Sequence, residues 1–126
     1  MNTRYFFTDK APKPIGPYSQ AVEAGPFIYI SGQIPLHYES GEVVGDDIAT
    51  QAKTVLTNLK AVLNVAGLDF TNLVKTTVFL TDLTNFAQFN QIYQQELGNT
   101  APARSVVEVS ALPRGVLVEI EAVAYK

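Results

Sequence analysis

The chain has no cysteine, a single histidine, no basic run and no long apolar segment. Each absence closes a class of function. Without cysteine there are no disulfides, no thiolate nucleophile and no cysteine-based metal centre, a composition that suits a reducing compartment. The one histidine, His37, stands in a polar stretch with Glu39 and Gly41 and has no companion cluster of metal ligands, so it reads as a solvent-exposed loop residue. Nine Lys and Arg against twelve Asp and Glu give a formal net charge of -3. With no row of cations to neutralise phosphates, nucleic acid is not an expected partner. No stretch approaches the roughly 20 apolar residues of a membrane span. The N-terminal MNTRYFFTDK carries an aspartate where a secretory signal needs an unbroken apolar core, so a cytoplasmic chain with no membrane partner is expected. Gly-rich phosphate loops, a serine nucleophile elbow and metal motifs are also missing.

What is present is a chain of 126 residues, 47% of them hydrophobic. That is enough for one domain, expected to span residues 1–126 and to bury roughly two-thirds of its unfolded surface. The aromatic run Arg4 to Thr8 reads as an edge strand, and the proline-rich APKPIGPYSQ, Ala11 to Gln20, as a stiff loop. Ala21 to Glu23 and Phe27 to Gln33 form a hairpin about Gly25-Pro26. Asp46 and Asp47 precede Ile48, Ala52, Val55, Leu56, Leu59, Val62, Leu63 and Ala66, which recur at helical spacing and stop at Gly67. The nearly continuous LVKTTVFLT, Leu73 to Thr81, reads as a central strand covered on both faces. Asp82 or Thr84 caps a second helix with Phe86, Phe89, Ile92, Tyr93 and Leu97 on its apolar face and Gly98 at its end. After Pro102, two strands, Arg104 to Ser110 and Val116 to Ala124, flank a turn at Pro113 to Gly115. In the last strand Val116, Val118, Ile120, Ala122 and Ala124 point to a helix-covered core. The opposite set, Leu117, Glu119, Glu121, Val123 and Tyr125, is too apolar to leave wet and too charged for an internal core, which predicts a small oligomer joined through such faces.

The residues that could carry chemistry lie mostly near strand ends. Arg104 can grip a ligand carboxylate through two parallel hydrogen bonds or form a structural salt bridge to Glu108, Glu119 or Glu121. Glu119 and Glu121 share a face; crowded and poorly solvated, they would hold protons more tightly and could tune acid–base chemistry, or they could be plain interface carboxylates. Tyr18 sits on the loop stiffened by Pro14 and Pro17, where it could present a hydroxyl or merely pack on the surface. Ser31 and Gly32 could offer a hydroxyl and close backbone approach, or form an ordinary turn. Asn90, on an aromatic helix face, needs a hydrogen-bond partner if buried, from a ligand or across an interface.

Taken in order, IGPYSQ, SGQIP, FAQFNQIY, PARSVVEV and LPRGVLVEIEAVA resemble the RidA (YjgF/YER057c/UK114) family over nearly the whole chain. The resemblance implies an α+β, chorismate-mutase-like fold, with a mixed sheet of about six strands and two helices packed on one face. It implies a homotrimer with clefts between subunits that hydrolyses reactive 2-imino acids, 2-iminopropanoate and 2-iminobutanoate, to 2-keto acids and ammonia. These imines arise from enamines such as 2-aminoacrylate, so the role would be metabolite detoxification, with no cofactor. By motif, Arg104 would hold the substrate carboxylate and Glu121 would orient and deprotonate water. Tyr18, Ser31, Gly32, Asn90 and the backbone of Val106 would shape the cleft. Many members have cysteine where this chain has Val106, so any thiol side activity is excluded while main-chain contacts persist. The alternative is a trimeric small-carboxylate-binding regulatory or protein-interaction module. Chorismate mutase activity by fold analogy has thin support, since one arginine serves a dianion poorly and fold alone does not carry function.

Overall fold

Alternation of apolar and polar residues, period two, builds six strands in the computed structural model, which describes residues 3–126; Met1 and Asn2 of the N-terminal decapeptide lie outside it. The strands are β1 (Arg4–Phe6), β2 (Ala21–Ala24), β3 (Phe27–Gln33), β4 (Leu73–Leu80), β5 (Ala103–Glu108) and β6 (Val118–Tyr125). They form one mixed sheet in the order β1-β2-β3-β6-β4-β5, with only β4 and β5 parallel. Two helices, α1 (Ile48–Val65) and α2 (Phe86–Leu97), pack on one face, as the resemblance implies.

α1 begins where the Asp47 side chain accepts the Thr50 N–H at 3.0 Å, satisfying one of the four donors a helix start leaves free. Its stripe of Ala52, Val55, Leu59 and Val62 is fully buried, and truncating such a leucine to alanine costs about 2–5 kcal/mol. Gly67 just beyond the end takes φ 79, a left-handed turn in which a side chain would be strained. Two buried amides on α1 fix the neighbouring chain. Asn58 Nδ2 donates to the carbonyls of Ile34 and Leu36, while Gln51 donates to Gly45 O and accepts from Leu117 N–H.

Three expectations need correction. The run Leu73 to Thr81 is second from the sheet edge, with β6 between it and β3. Only one of its faces is covered: Leu73, Thr76, Val78 and Leu80 are buried, whereas Lys75, Thr77 and Phe79 are half-buried. Its second face is therefore open in the single chain, where both faces were expected to be covered. The second helix is also capped differently, since Asp82 caps a single 3-10 turn at Leu83–Asn85 through Thr84 N–H, and α2 follows from Phe86. Finally, β1 and β5 stop short of the expected bounds, and β6 starts at Val118 because Val116 closes the preceding turn. The two-sided character of β6 is as expected, with Val118, Ile120, Ala122 and Ala124 in the core. Glu119, Glu121, Val123 and Tyr125 lie on the open face, where Tyr29 and Val107 are exposed as well.

Candidate functional site

The chemistry-bearing residues fall into two groups on opposite sides of the sheet. In the ladder β4 runs beside both β5 and β6, and Thr76 pairs with Arg104 while Thr77 pairs with Glu121. Consecutive residues of a strand point to opposite faces, so Arg104 lies on the helix side and Glu121 on the open side. Glu121 is exposed in the single chain, on the face that the strand alternation directs away from the core.

Arg104 enters β5 just after Pro102 and is half-buried. Its Nη1 donates to Asn90 Oδ1 on α2 at 2.9 Å, and the guanidinium lies 4.8 Å from the Tyr93 ring centre and 5.7 Å from that of Phe86. Those ring faces attract a cation without neutralising it. No carboxylate pairs with Arg104 among the described residues, where the one salt bridge joins Lys126 to Glu23, so the structural ion pair considered from sequence is not formed. Tyr93 is in turn held by the buried Thr76 hydroxyl at 2.8 Å. Burial pushes the Tyr93 phenol up, against the bond to Thr76 and the Arg104 charge. The guanidinium borders a shallow cavity of about 460 Å³ with Asn90, Tyr93 and Pro102 in its wall. Val106, two residues on, shares the Arg104 face and packs against the core.

The second group surrounds a cleft of about 690 Å³ whose wall includes Tyr18, Ser31, Gly32, Glu119 and Glu121. The proline-rich loop that carries Tyr18 is tied down by Gln20, only 2% exposed. Gln20 accepts from Thr8 N–H and donates to the carbonyls of Thr8 and Pro12. Ser31 donates its hydroxyl to Ser19 O at 2.6 Å, and its N–H to Gln20 O. Ser31 and Gly32 occupy a register shift between Ile30 and Gln33, where β3 bulges away from β6. Burial foremost, with the Glu121 charge second, raises the Glu119 carboxyl above the ordinary carboxylate range.

Sequence patterns pick out neither Gln20 nor Arg114. The one available signal for Gln20 is an amide at the junction of a proline-rich loop and an apolar strand, where buried backbone needs partners. Arg114 borders the same cleft, donates to Gly41 O at 3.1 Å, and holds φ 61, an uncommon backbone state for a residue with a side chain. Within one chain the structure thus gathers Tyr18, Ser31, Gly32 and Glu121 in one place and Asn90 and Arg104 in another.

The family model described as Endoribonuclease L-PSP matches residues 8–126. A RutC family protein of Pyrococcus abyssi is 52% identical over 126 residues, covering 100% of this chain and 99% of that protein. The 2-iminobutanoate/2-iminopropanoate deaminase of Homo sapiens is 50% identical over 121 residues, covering 96% of this chain and 88% of that protein. Among solved structures, E. coli TdcF with bound serine superposes with a TM-score of 0.93 at 43% identity, covering 98% of each chain.

Proposed function

Because this chain belongs to the endoribonuclease L-PSP family, the RutC/YjgF/RidA group, we propose that it is a cytoplasmic homotrimer that hydrolyses 2-iminopropanoate and 2-iminobutanoate to 2-keto acids and ammonia. The observation that carries this reading is Arg104, a guanidinium with no carboxylate partner among the described residues, bordering a cavity. Such a group suits a small organic anion. The 50% identity to deaminases of Homo sapiens, Mus musculus and Bos taurus supports the reaction class. The apolar open sheet face, with Tyr29, Val107 and Tyr125 exposed, supports assembly.

In this reading the substrate carboxylate sits on Arg104, which Asn90 and the Tyr93 ring hold in place. Glu121 takes a proton from water as the water oxygen bonds to C2 and the imine π pair moves to nitrogen, and it returns that proton to nitrogen to give a carbinolamine. Glu121 then takes the hydroxyl proton and passes it to the amino nitrogen, which lets the C–N bond break. Ammonia leaves with the bonding pair as the C–O double bond of the keto acid forms. Positioned acid–base catalysis of this kind contributes about 10² to 10⁴ in rate. Tyr18, Ser31, Gly32 and the main chain of Val106 complete the walls. Nuclease action is poorly supported, since a net charge of -3 and the lack of a basic run leave nothing to hold a phosphate backbone.

The test couples the purified protein to a threonine or serine dehydratase and follows keto acid and ammonia. Arg104→Ala is expected to cost about 10- to 100-fold in kcat/KM, the worth of a charge-assisted hydrogen-bond pair. Release at the wild-type rate would remove Arg104 as the anchor. The serine-bound TdcF structure favours a second reading, a trimeric binder of small carboxylates without hydrolysis. Tight 2-oxobutanoate binding with no faster imine hydrolysis would select it.

A further inference from the structure

Among the described residues Arg114 is the one residue other than glycine with a left-handed backbone, at φ 61 and ψ 14. The turn before β6 closes around it, with Gly115 N–H on Leu112 O at 3.1 Å and Val116 N–H on Pro113 O at 3.4 Å. Glycine meets that shape without steric cost, whereas a residue with a Cβ is strained in it. The arginine side chain returns little stability to the turn. It is exposed, and among the described residues its one hydrogen bond runs from Nη1 to Gly41 O at 3.1 Å. That bond uses one of five N–H donors and steadies the guanidinium at the cleft wall. No carboxylate pairs with it among the described residues, although Glu119 and Glu121 border the same cleft. Strain kept for an unpaired cation beside a cleft is what a ligand-binding residue shows, and a turn-forming residue does not need it.

The cleft, about 690 Å³, is of the size that drug-sized ligands fill and exceeds what a four-carbon acid occupies. Its charges are two cations, Arg114 and Lys13 of the proline-rich loop, against two glutamates, so its wall carries no net charge to turn a dianion away. We propose that Arg114 is a specificity-determining residue that takes a second carboxylate, so that the cleft accepts imino dicarboxylic acids of four or five carbons beside the small monocarboxylic imines. The inference rests on the reading of the assembled cleft as an imine site in which Arg104 holds the first carboxylate. The free edge of the Arg114 guanidinium offers two parallel N–H groups, the geometry that fits a carboxylate. The bond changes at C2 are the same for either class of substrate. Arg114 acts on which side chain is bound, and the distal carboxylate takes no part in the reaction.

The experiment compares the binding of 2-oxobutanoate and 2-oxoglutarate by calorimetry in the wild type, Arg114→Gly, Arg114→Gln and Arg114→Lys. Glycine suits φ 61, so Arg114→Gly deletes the side chain and keeps the turn, while Arg114→Gln keeps an amide for Gly41 O and loses the charge. The wild type is expected to bind 2-oxoglutarate at least as tightly as 2-oxobutanoate. Arg114→Gly and Arg114→Gln should each weaken 2-oxoglutarate about tenfold and 2-oxobutanoate less than twofold, and Arg114→Lys should weaken 2-oxoglutarate about threefold. With 2-iminoglutarate supplied by an oxidase acting on glutamate, Arg114→Gly should raise KM about tenfold and leave kcat within twofold. Equal weakening of the two keto acids overturns the proposal, as does a wild type that binds 2-oxoglutarate more than tenfold worse than 2-oxobutanoate. A fall in kcat with KM unchanged overturns it too. Binding of 2-oxoglutarate that depends on Arg114, without hydrolysis of either imine, supports it and counts against the deaminase reading alone. Absence of binding by both keto acids overturns both.

Discussion

At Glu119 the cost of desolvation is measurable without any substrate. Its folded-state carboxyl is raised, so the native state holds its proton more tightly than the unfolded chain does. By linkage, that contribution to stability is fully present below the unfolded carboxylate pKa of about 4.3 and is lost as pH rises through the folded value. Glu119→Gln never ionises and escapes the loss. Its Tm is expected to exceed that of the wild type at pH 8 and to converge with it by about pH 4. A scan of Tm against pH decides the point; a difference that is flat with pH would mean the carboxyl is not strained by its surroundings. The residue scale is also where the sequence was most legible. Arg104 and Glu121 stood out because strand alternation placed charge among apolar neighbours. Their separation by the sheet was not legible, since it depends on Thr76 and Thr77 of β4 pairing with different strands. No local pattern encodes that ladder.

Among the elements, the loop between β1 and β2 relies on one side chain. Gln20 engages Thr8 N–H and the carbonyls of Thr8 and Pro12, and so sets the height at which Tyr18 and Ser19 stand above β3. Gln20→Ala leaves buried backbone groups unpaired, at about 1–3 kcal/mol for each group that water does not reach. The expected result is a drop of about 2–3 kcal/mol in urea unfolding together with faster proteolysis between Thr8 and Tyr18. Unchanged stability would show that water replaces the amide. Both helices were readable from their 3.6-residue spacing and from Asp47 and Gly67. β4 differs from its sequence reading because a continuous apolar run has two causes, a central strand covered on both faces or a strand whose second face awaits another protein surface. Lys75, Thr77 and Phe79, half-buried, point to the second.

For the whole molecule, the division of site residues between two sides of one sheet makes assembly a chemical requirement in the proposed reading. Arg104→Ala and Glu121→Ala proteins should each keep no more than about a tenth of wild-type activity, yet mixed under conditions that exchange subunits they should regain about a quarter of it, from clefts that draw one intact residue from each neighbour. No recovery, with exchange verified by mass spectrometry, would place both groups in one subunit's cleft. The same geometry has a genetic reading. Where two alleles are expressed together, a copy altered at one residue still lends its intact group to a neighbour, so two differently defective alleles complement each other while neither poisons a wild-type partner.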